Sequence, residues 1–176
     1  MIGTNLAGGM VQNGHLVDDL DDAMRHFTMT MGAGPFFVLP PRRFVELYHD
    51  GEPATDSMIA AVAMGQVGPV QIELIVPAPG PSTYRRFLDH GGRGLHHFGY
   101  ITDDYDAMRT EAIKRGLRPA TEGRSQATRV CYLEDPEHPE QPVVELIENC
   151  QTIADTFALV AGAHADWDGT DPVRYL

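Results

Sequence analysis

The chain has little cysteine, few basic residues and no long apolar run, and each shortage closes off a class of protein. Two cysteines occur, Cys131 and Cys150, with no Cys-x-x-Cys pair. A disulfide scaffold of the secreted kind needs more, so both are read as reduced thiols in or near the core of a cytoplasmic protein. Lys and Arg number 13 against 25 Asp and Glu, a formal net charge of -12. That balance argues against nucleic acid or an anionic membrane as the main partner, although a local Arg cluster can still take an anionic small molecule. No apolar stretch approaches the ~20 residues needed to span a bilayer. The N-terminal stretch, MIGTNLAGGMVQ, has neither the basic start nor the apolar run of a signal peptide. What remains is a globular composition, 43% hydrophobic and 22% charged over 176 residues. That is enough for one domain or for two small modules sharing a core.

An internal repeat favours the second arrangement. Gly14-His-Leu-Val-Asp-Asp-Leu20 matches Gly99-Tyr-Ile-Thr-Asp-Asp-Tyr105 at an offset of 85. Ala23-Met-Arg25 matches Ala107-Met-Arg109, and Gly32-x-x-Pro35 matches Gly116-x-x-Pro119, both at 84. Val70-Gln-Ile-Glu-Leu-Ile75 matches Pro142-Val-Val-Glu-Leu-Ile147 at 72. The blocks keep their order in both halves, as a duplicated unit requires.

The pattern of elements follows the repeat. Residues 10–17 read as a strand. Asp18 or Asp19 caps a helix whose apolar stripe is Leu20, Met24, Phe27 and Met31, and Gly32 ends it. In the second half residues 97–102 are a strand, Asp103 or Asp104 the cap, Tyr105, Met108 and Ala112 the stripe, and Gly116 the stop. Further strands are expected at 36–40 or 43–48, 58–65 and 70–76, and again at 119–122, 128–134 and 143–148. Residues 82–90 read as a linker helix, Gly91-Gly92 as a hinge, 152–163 as an amphipathic helix carrying Ile153, Phe157 and Val160, and 166–176 as an arm or tail. The expected organisation is a first βαβββ module with its linker helix over 1–90, a second over 91–150, and a C-terminal helix and tail over 151–176.

Superposing the halves brings four polar positions into register. Gln12 aligns with His97 at the head of the first strand, and Glu73 with Glu145 in the middle of an apolar Glu-Leu-Ile strand. An unpaired carboxylate buried there costs several kcal/mol or more, so a cation must offset it, either a metal or a nearby Arg. Strand parity places Gln12, Gly14 and Leu16 on one face and His97, Gly99 and Ile101 on its counterpart, with glycine leaving space beside the polar group. One imidazole, two carboxylates and an amide suit Fe, Co, Ni, Mn or Zn, and leave positions for a bidentate substrate. Parity sets His96 opposite His97, as a structural or supporting residue. It likewise gives His15, aligned with Tyr100, a packing role against the first helix. Glu46 is a candidate general base if its segment lines the cup, or a solvated edge residue if it does not. Tyr48 shares its face. Arg42 and Arg43 steer an anion or balance the acidic surface, and Arg85, Arg86 and Arg93 are expected in solvent.

Asp-Asp-Leu-Asp after a strand, Gly-x-x-Pro after a helix, Gln-Ile-Glu-Leu-Ile, Gly-Leu-His-His-Phe-Gly-Tyr and Val-Val-Glu-Leu-Ile-Glu together resemble the vicinal oxygen chelate superfamily. That group contains glyoxalase I, methylmalonyl-CoA epimerase, extradiol dioxygenases and bleomycin-resistance proteins. The likeness runs from about Met10 to Glu148 and is nearest to the epimerase and glyoxalase-like branch. It implies an α+β fold, two βαβββ modules forming a cupped mixed sheet around a metal site with a C-terminal helix added, and a homodimer. It also implies the metal ligands Gln12, Glu73, His97 and Glu145. The chain departs from the epimerase pattern, which has His where Gln12 stands and often Gln where Glu73 stands. The expected activity is that of a metal-dependent isomerase, epimerase or glyoxalase-type lyase on a small enolisable carbonyl or thioester, with Glu145, Glu46 and Tyr48 as catalytic candidates. The alternatives are an Fe(II) dioxygenase, which would ordinarily use two His and one carboxylate, and a drug-sequestering binder, which would ordinarily lack the four ligands.

Overall fold

The computed structural model describes residues 9–176, and the part of the N-terminal reading that concerns residues 1–8 lies outside them. The chain runs β1 (Met10–Leu16), α1 (Leu20–Met31), β2 (Phe36–Val38), β3 (Glu46–His49), β4 (Glu52–Pro53), β5 (Ile59–Val67), β6 (Val70–Pro77) and α2 (Thr83–Asp89). It continues as β7 (Gly94–Thr102), α3 (Tyr105–Lys114), β8 (Arg118–Arg124), β9 (Arg129–Glu134), β10 (Val143–Glu148), α4 (Gln151–Ala165) and β11 (Val173–Tyr175). The strands form one open sheet in the order β11-β2-β5-β6-β1-β7-β10-β9-β8-β3-β4. In each half the first strand lies parallel to the last, β1 on β6 and β7 on β10. The halves join through the antiparallel pair β1 and β7. The α+β architecture is the expected one, and both halves of the cup come from a single chain.

Local chemistry explains the helices. Asp19 accepts from the Asp22 amide at 2.8 Å, and Gly32 ends α1 in the left-handed conformation at φ 67. Asp104 caps α3 in the same way through Ala107 N. Parity then sorts the sheet. Ile72 and Leu74 of β6 pack with Phe36 and Ala63 against Met24 of α1. Cys131, Leu133 and Leu146 take Tyr105 and Ala112 of α3. The alternate positions, Leu16, Ile75, Tyr132 and Ile147, line the inner face, where Ile153 and Phe157 of α4 meet them. Burying each such side chain contributes about 1.5–3 kcal/mol. Met31, in the last turn of α1, is 50% exposed and leaves the predicted stripe.

Three features depart from the sequence expectation. The segment after β2 does not extend the first half's sheet. It crosses to the far edge, where β3 pairs with β8 and β4 folds back on β3. The tail does not project, because β11 pairs with β2 and closes the other edge. Arg86 is not a solvated charge: it donates to Glu134 at 2.7 Å and also contacts Asp50, tying the β3–β4 hairpin to α2. No helix among the described residues is long and apolar enough to cross a membrane.

Candidate metal centre

Register, not loop geometry, gathers the candidate ligands. Across the sheet Gln71 lies beside Gln12, Gln12 opposite Gly99, and Gly99 beside Glu145. The next row on the same face runs Glu73, Gly14, His97. A Cβ on Gly14 would lie 1.8 Å from the His97 ring, and one on Gly99 would lie 2.8 Å from Gln12 Oε1. Each glycine is therefore the recess that admits the other half's ligand.

The four side chains are almost fully enclosed, with Gln12 1%, Glu73 2%, His97 0% and Glu145 2% exposed. His97 Nε2 is 3.2 Å from Oε2 of Glu73 and 3.2 Å from Oε2 of Glu145. One ligand atom from each of these three residues lies within 4.8 Å of the other two. Burial opposes charge on His97, yet Glu145 and then Glu73 outweigh it and raise its pKa to about 9. Burial likewise works against the Glu145 carboxylate, but His97 and the Tyr132 hydroxyl hold it below the usual range. The cluster is thus built to capture positive charge.

Unpaired atoms show that the donors fit a divalent ion. Gln12 Nε2 donates to Gln71 Oε1 at 2.7 Å, while Gln12 Oε1 has no hydrogen-bond partner among the described residues. Gln71 Nε2 is likewise without a partner among the described residues, and in this orientation of the amide pair the free end of Gln12 is the oxygen, which a cation takes. His97 Nε2, close to both carboxylates, also lacks a partner of hydrogen-bonding geometry among the described residues. Arg42 donates from Nη2 to Glu73 Oε1 at 3.1 Å, so an arginine does accompany one buried acid. It leaves Gln12 Oε1 and His97 Nε2 without a hydrogen-bond partner among the described residues. Buried polar atoms are rarely left so, and an N/O donor set of this kind suits Fe, Co, Ni, Mn or Zn.

The residues behind the ligands fix their orientation. Pairing of β1 with β7 jumps from Gly14–His97 to His15–Leu95, so His96 is the extra residue of a β-bulge. The bulge corrects the parity reading: His96 does not face away from His97, and the two Nδ1 atoms are 3.2 Å apart. Burial first, then His97, hold His96 well below the usual histidine range, so it is neutral and can accept from His97 Nδ1–H. That tautomer leaves His97 Nε2 free as a ligand. On the other side Tyr132, opposite Glu145 in the β9–β10 pair, places the hydroxyl that helps keep the carboxylate charged, and this hydroxyl meets Tyr84 OH at 2.9 Å.

A cavity of about 420 Å³ opens above the cluster, with Gln12, Glu73 and Glu145 in its wall. Ile153 and Phe157 of α4 and Phe44 of the crossing segment supply apolar surface, and Arg42 and Arg43 are its cations. Glu46 and Tyr48 are not brought to this place. Glu46 is 48% exposed, receives two hydrogen bonds from Arg124 at 3.0 and 2.6 Å, and is held below the usual carboxylate range chiefly by them. Tyr48, 38% exposed, pairs with Glu122 on the same outer edge. The sequence reading missed Gln71, Tyr132 and the contact of Arg42 with Glu73. Gln71 had a signal, since it shares strand parity with Glu73. Tyr132 had none, because its counterpart beside Glu73 is Met64.

The model of the glyoxalase/bleomycin resistance protein/dioxygenase superfamily matches residues 11–132. Among solved structures, methylmalonyl-CoA epimerase from Mycobacterium tuberculosis superposes with a TM-score of 0.58 at 24% identity, covering 88% of this chain and 97% of that one. A Streptomyces coelicolor methylmalonyl-CoA epimerase variant in complex with 2-nitronate-propionyl-CoA gives 0.54 at 19%, covering 82% and 96%. A hypothetical protein from Bacillus halodurans C-125 gives 0.57 at 16%, covering 82% and 96%. No curated protein sequence matches the chain. At these identities the solved structures establish the shared fold.

Proposed function

Because the chain belongs to the glyoxalase/bleomycin resistance protein/dioxygenase superfamily, we propose that it is a divalent-metal-dependent isomerase, epimerase or glyoxalase-type lyase acting on a small enolisable carbonyl or thioester. The observation that carries the reading is the convergence of Glu73, His97 and Glu145 within 4.8 Å, with the unpartnered oxygen of Gln12 on the same face. A divalent ion held by these four residues would polarise a substrate oxygen and stabilise negative charge developing beside it.

The protein's own groups then have distinct tasks. Glu145 faces the cavity and moves the proton on the substrate carbon, while the Tyr132 hydroxyl steadies its charged form. His96 holds the His97 ring, and Arg42 steadies Glu73. The apolar wall from α4 keeps water from the reacting carbon. Glu46 and Tyr48 have no part in this scheme, being bound at the outer edge. Solved methylmalonyl-CoA epimerases of the same fold make epimerisation the first activity to assay. The same reading includes a homodimer in the cytoplasm, with all four ligands supplied by one chain.

Elemental analysis of chelator-stripped protein reloaded with Co, Ni, Mn or Zn should give stoichiometric metal. Metal-loaded protein in deuterated water should then exchange a carbon-bound proton of an enolisable thioester or oxo compound. No metal uptake under any condition refutes the reading. Metal uptake without exchange on any compound of a broad panel would make the chain a binder.

A further inference from the structure

The reaction class leaves the substrate open, and the charge and shape of the cavity narrow it. The inference that follows rests on the proposed function. Glu73 and Glu145 are the acids in the cavity wall, and Arg42 and Arg43 are the bases. These four charges offset one another, so a divalent ion held by the carboxylates leaves the cavity with surplus positive charge. An enclosed surplus of that kind is relieved by an anion.

Arg42 is placed to receive it. Its segment is anchored at both ends, by Leu39 N to Val62 O at 3.0 Å and by Val45 N to Arg124 O at 2.7 Å, with Pro40 and Pro41 between. Its side chain is 27% exposed, and its one hydrogen bond among the described residues is the contact from Nη2 to Glu73. Most of the guanidinium donors are therefore uncommitted beside the cavity, in the planar array that matches a carboxylate. The contact with Glu73 weakens once that carboxylate serves a cation, which frees more of the array. Most of the remaining wall is apolar, with Leu39, Phe44, Val130, Ile147, Ile153 and Phe157, and Ser125, Thr128, Thr152 and Thr156 add hydroxyl-bearing side chains to it. The volume of about 420 Å³ suits a ligand of small-molecule size. A phosphate-bearing tail would want further cations, but Arg124 is engaged by Glu46, and Arg109 by Glu122.

We propose that this cavity takes a free organic acid with a compact apolar body, its carboxylate held by Arg42 next to the oxygens that meet the metal. Arg42 is then the residue that selects acids over their neutral analogues and over bulky thioesters.

Calorimetric titration of metal-loaded protein with 3-phenylpropionate, 3-phenylpropanamide and propionyl-CoA tests this without any turnover. The acid should bind at least about tenfold more tightly than the amide, which is about 1.4 kcal/mol, and more tightly than the thioester. Arg42→Lys should keep that preference and Arg42→Gln should lose it, with metal content equal in all three proteins. Stripping the metal should shrink the preference. Equal affinity for acid and amide, tighter binding of propionyl-CoA, or an Arg42→Gln protein that still prefers the acid overturns the inference while leaving the metal reading intact. A protein that takes up no metal removes both, and metal content on the same samples separates the cases.

Discussion

Gln12 and His97 occupy equivalent places on β1 and β7, and Glu73 and Glu145 on β6 and β10, yet the two halves hold them differently. His97 is wedged over Gly14, hydrogen-bonded to His96, and lies 5.4 Å from the Tyr132 ring, centroid to centroid. Gln12 is a flexible side chain with one hydrogen bond among the described residues, to Gln71. Glu145 is served by a neutral hydroxyl, Glu73 by a guanidinium that also faces the cavity. In the proposed reading the second half anchors the cation with stiff aromatic neighbours. The first half supplies adaptable groups and the charge that meets the substrate. A duplicated fold thus fixes where ligands sit, while the neighbours decide what each one does.

The largest test is to remove the equivalent ligands one at a time. His97→Ala should lower metal affinity by about 100-fold or more, beyond the roughly 10–100-fold that supporting residues are worth. Gln12→Ala should lower it less, because an amide oxygen is a neutral and weaker donor. Equal losses, read by competition with a chromogenic chelator, would mean that the halves share the cation evenly.

The two recess glycines come next. Gly14→Ala drives a methyl group into a ring that His96 holds in place, so overpacking of about 1–3 kcal/mol should appear together with a metal defect. Gly99→Ala meets the Gln12 oxygen at 2.8 Å, which can turn aside, and the Gln12 Cβ at 3.0 Å, which cannot, a looser approach than the 1.8 Å at Gly14, so it should be milder. Urea unfolding of the two variants gives the ranking directly.

These positions also show which features the sequence discloses and which it hides. Strand alternation about Gln12 and His97, together with a Glu at the centre of two matching apolar strands, puts four residues on one face by pattern alone. Alternation fails at His96, because a bulge inserts one residue and turns it beside His97. Repeat logic fails for Arg42, Glu46 and Tyr48, because the crossing segment has no counterpart in the second half. Its destination on β8 is a long-range pairing that local pattern does not encode. It fails for Tyr132 for the opposite reason: the position is equivalent, but the residue opposite Glu73 is Met64.

The contrast between the two carboxylates predicts a smaller, state-dependent effect. Tyr132→Phe should weaken metal binding about tenfold, since it removes the hydroxyl that favours the charged form of Glu145. Arg42→Gln should instead act on the metal-free protein. There Glu73 loses its guanidinium, and a lost hydrogen bond to a charged group destabilises by about 1.5–3 kcal/mol. With metal loaded the loss should shrink, because the cation takes over that charge. Thermal unfolding of both variants, with and without metal, distinguishes the two kinds of support. An Arg42→Gln deficit that is the same in both states would end the argument that cation and guanidinium serve the same carboxylate.

The smallest expected effect lies at another equivalent pair, His15 on β1 and Tyr100 on β7. His15 packs edge-on against Phe27 of α1, with ring centroids 4.9 Å apart. Burial, and then His97, lower its pKa from 6.5 to about 4. Between these two values the unfolded chain binds a proton at this site that the folded chain does not, so stability rises with pH through that window and is flat above it. His15→Tyr copies the other half and removes the titrating group. The variant should therefore lose part of the difference in unfolding free energy between pH 5 and pH 7. An unchanged difference would show that His15 keeps its ordinary proton affinity in the fold, and that the packing against Phe27 leaves the ring open to water.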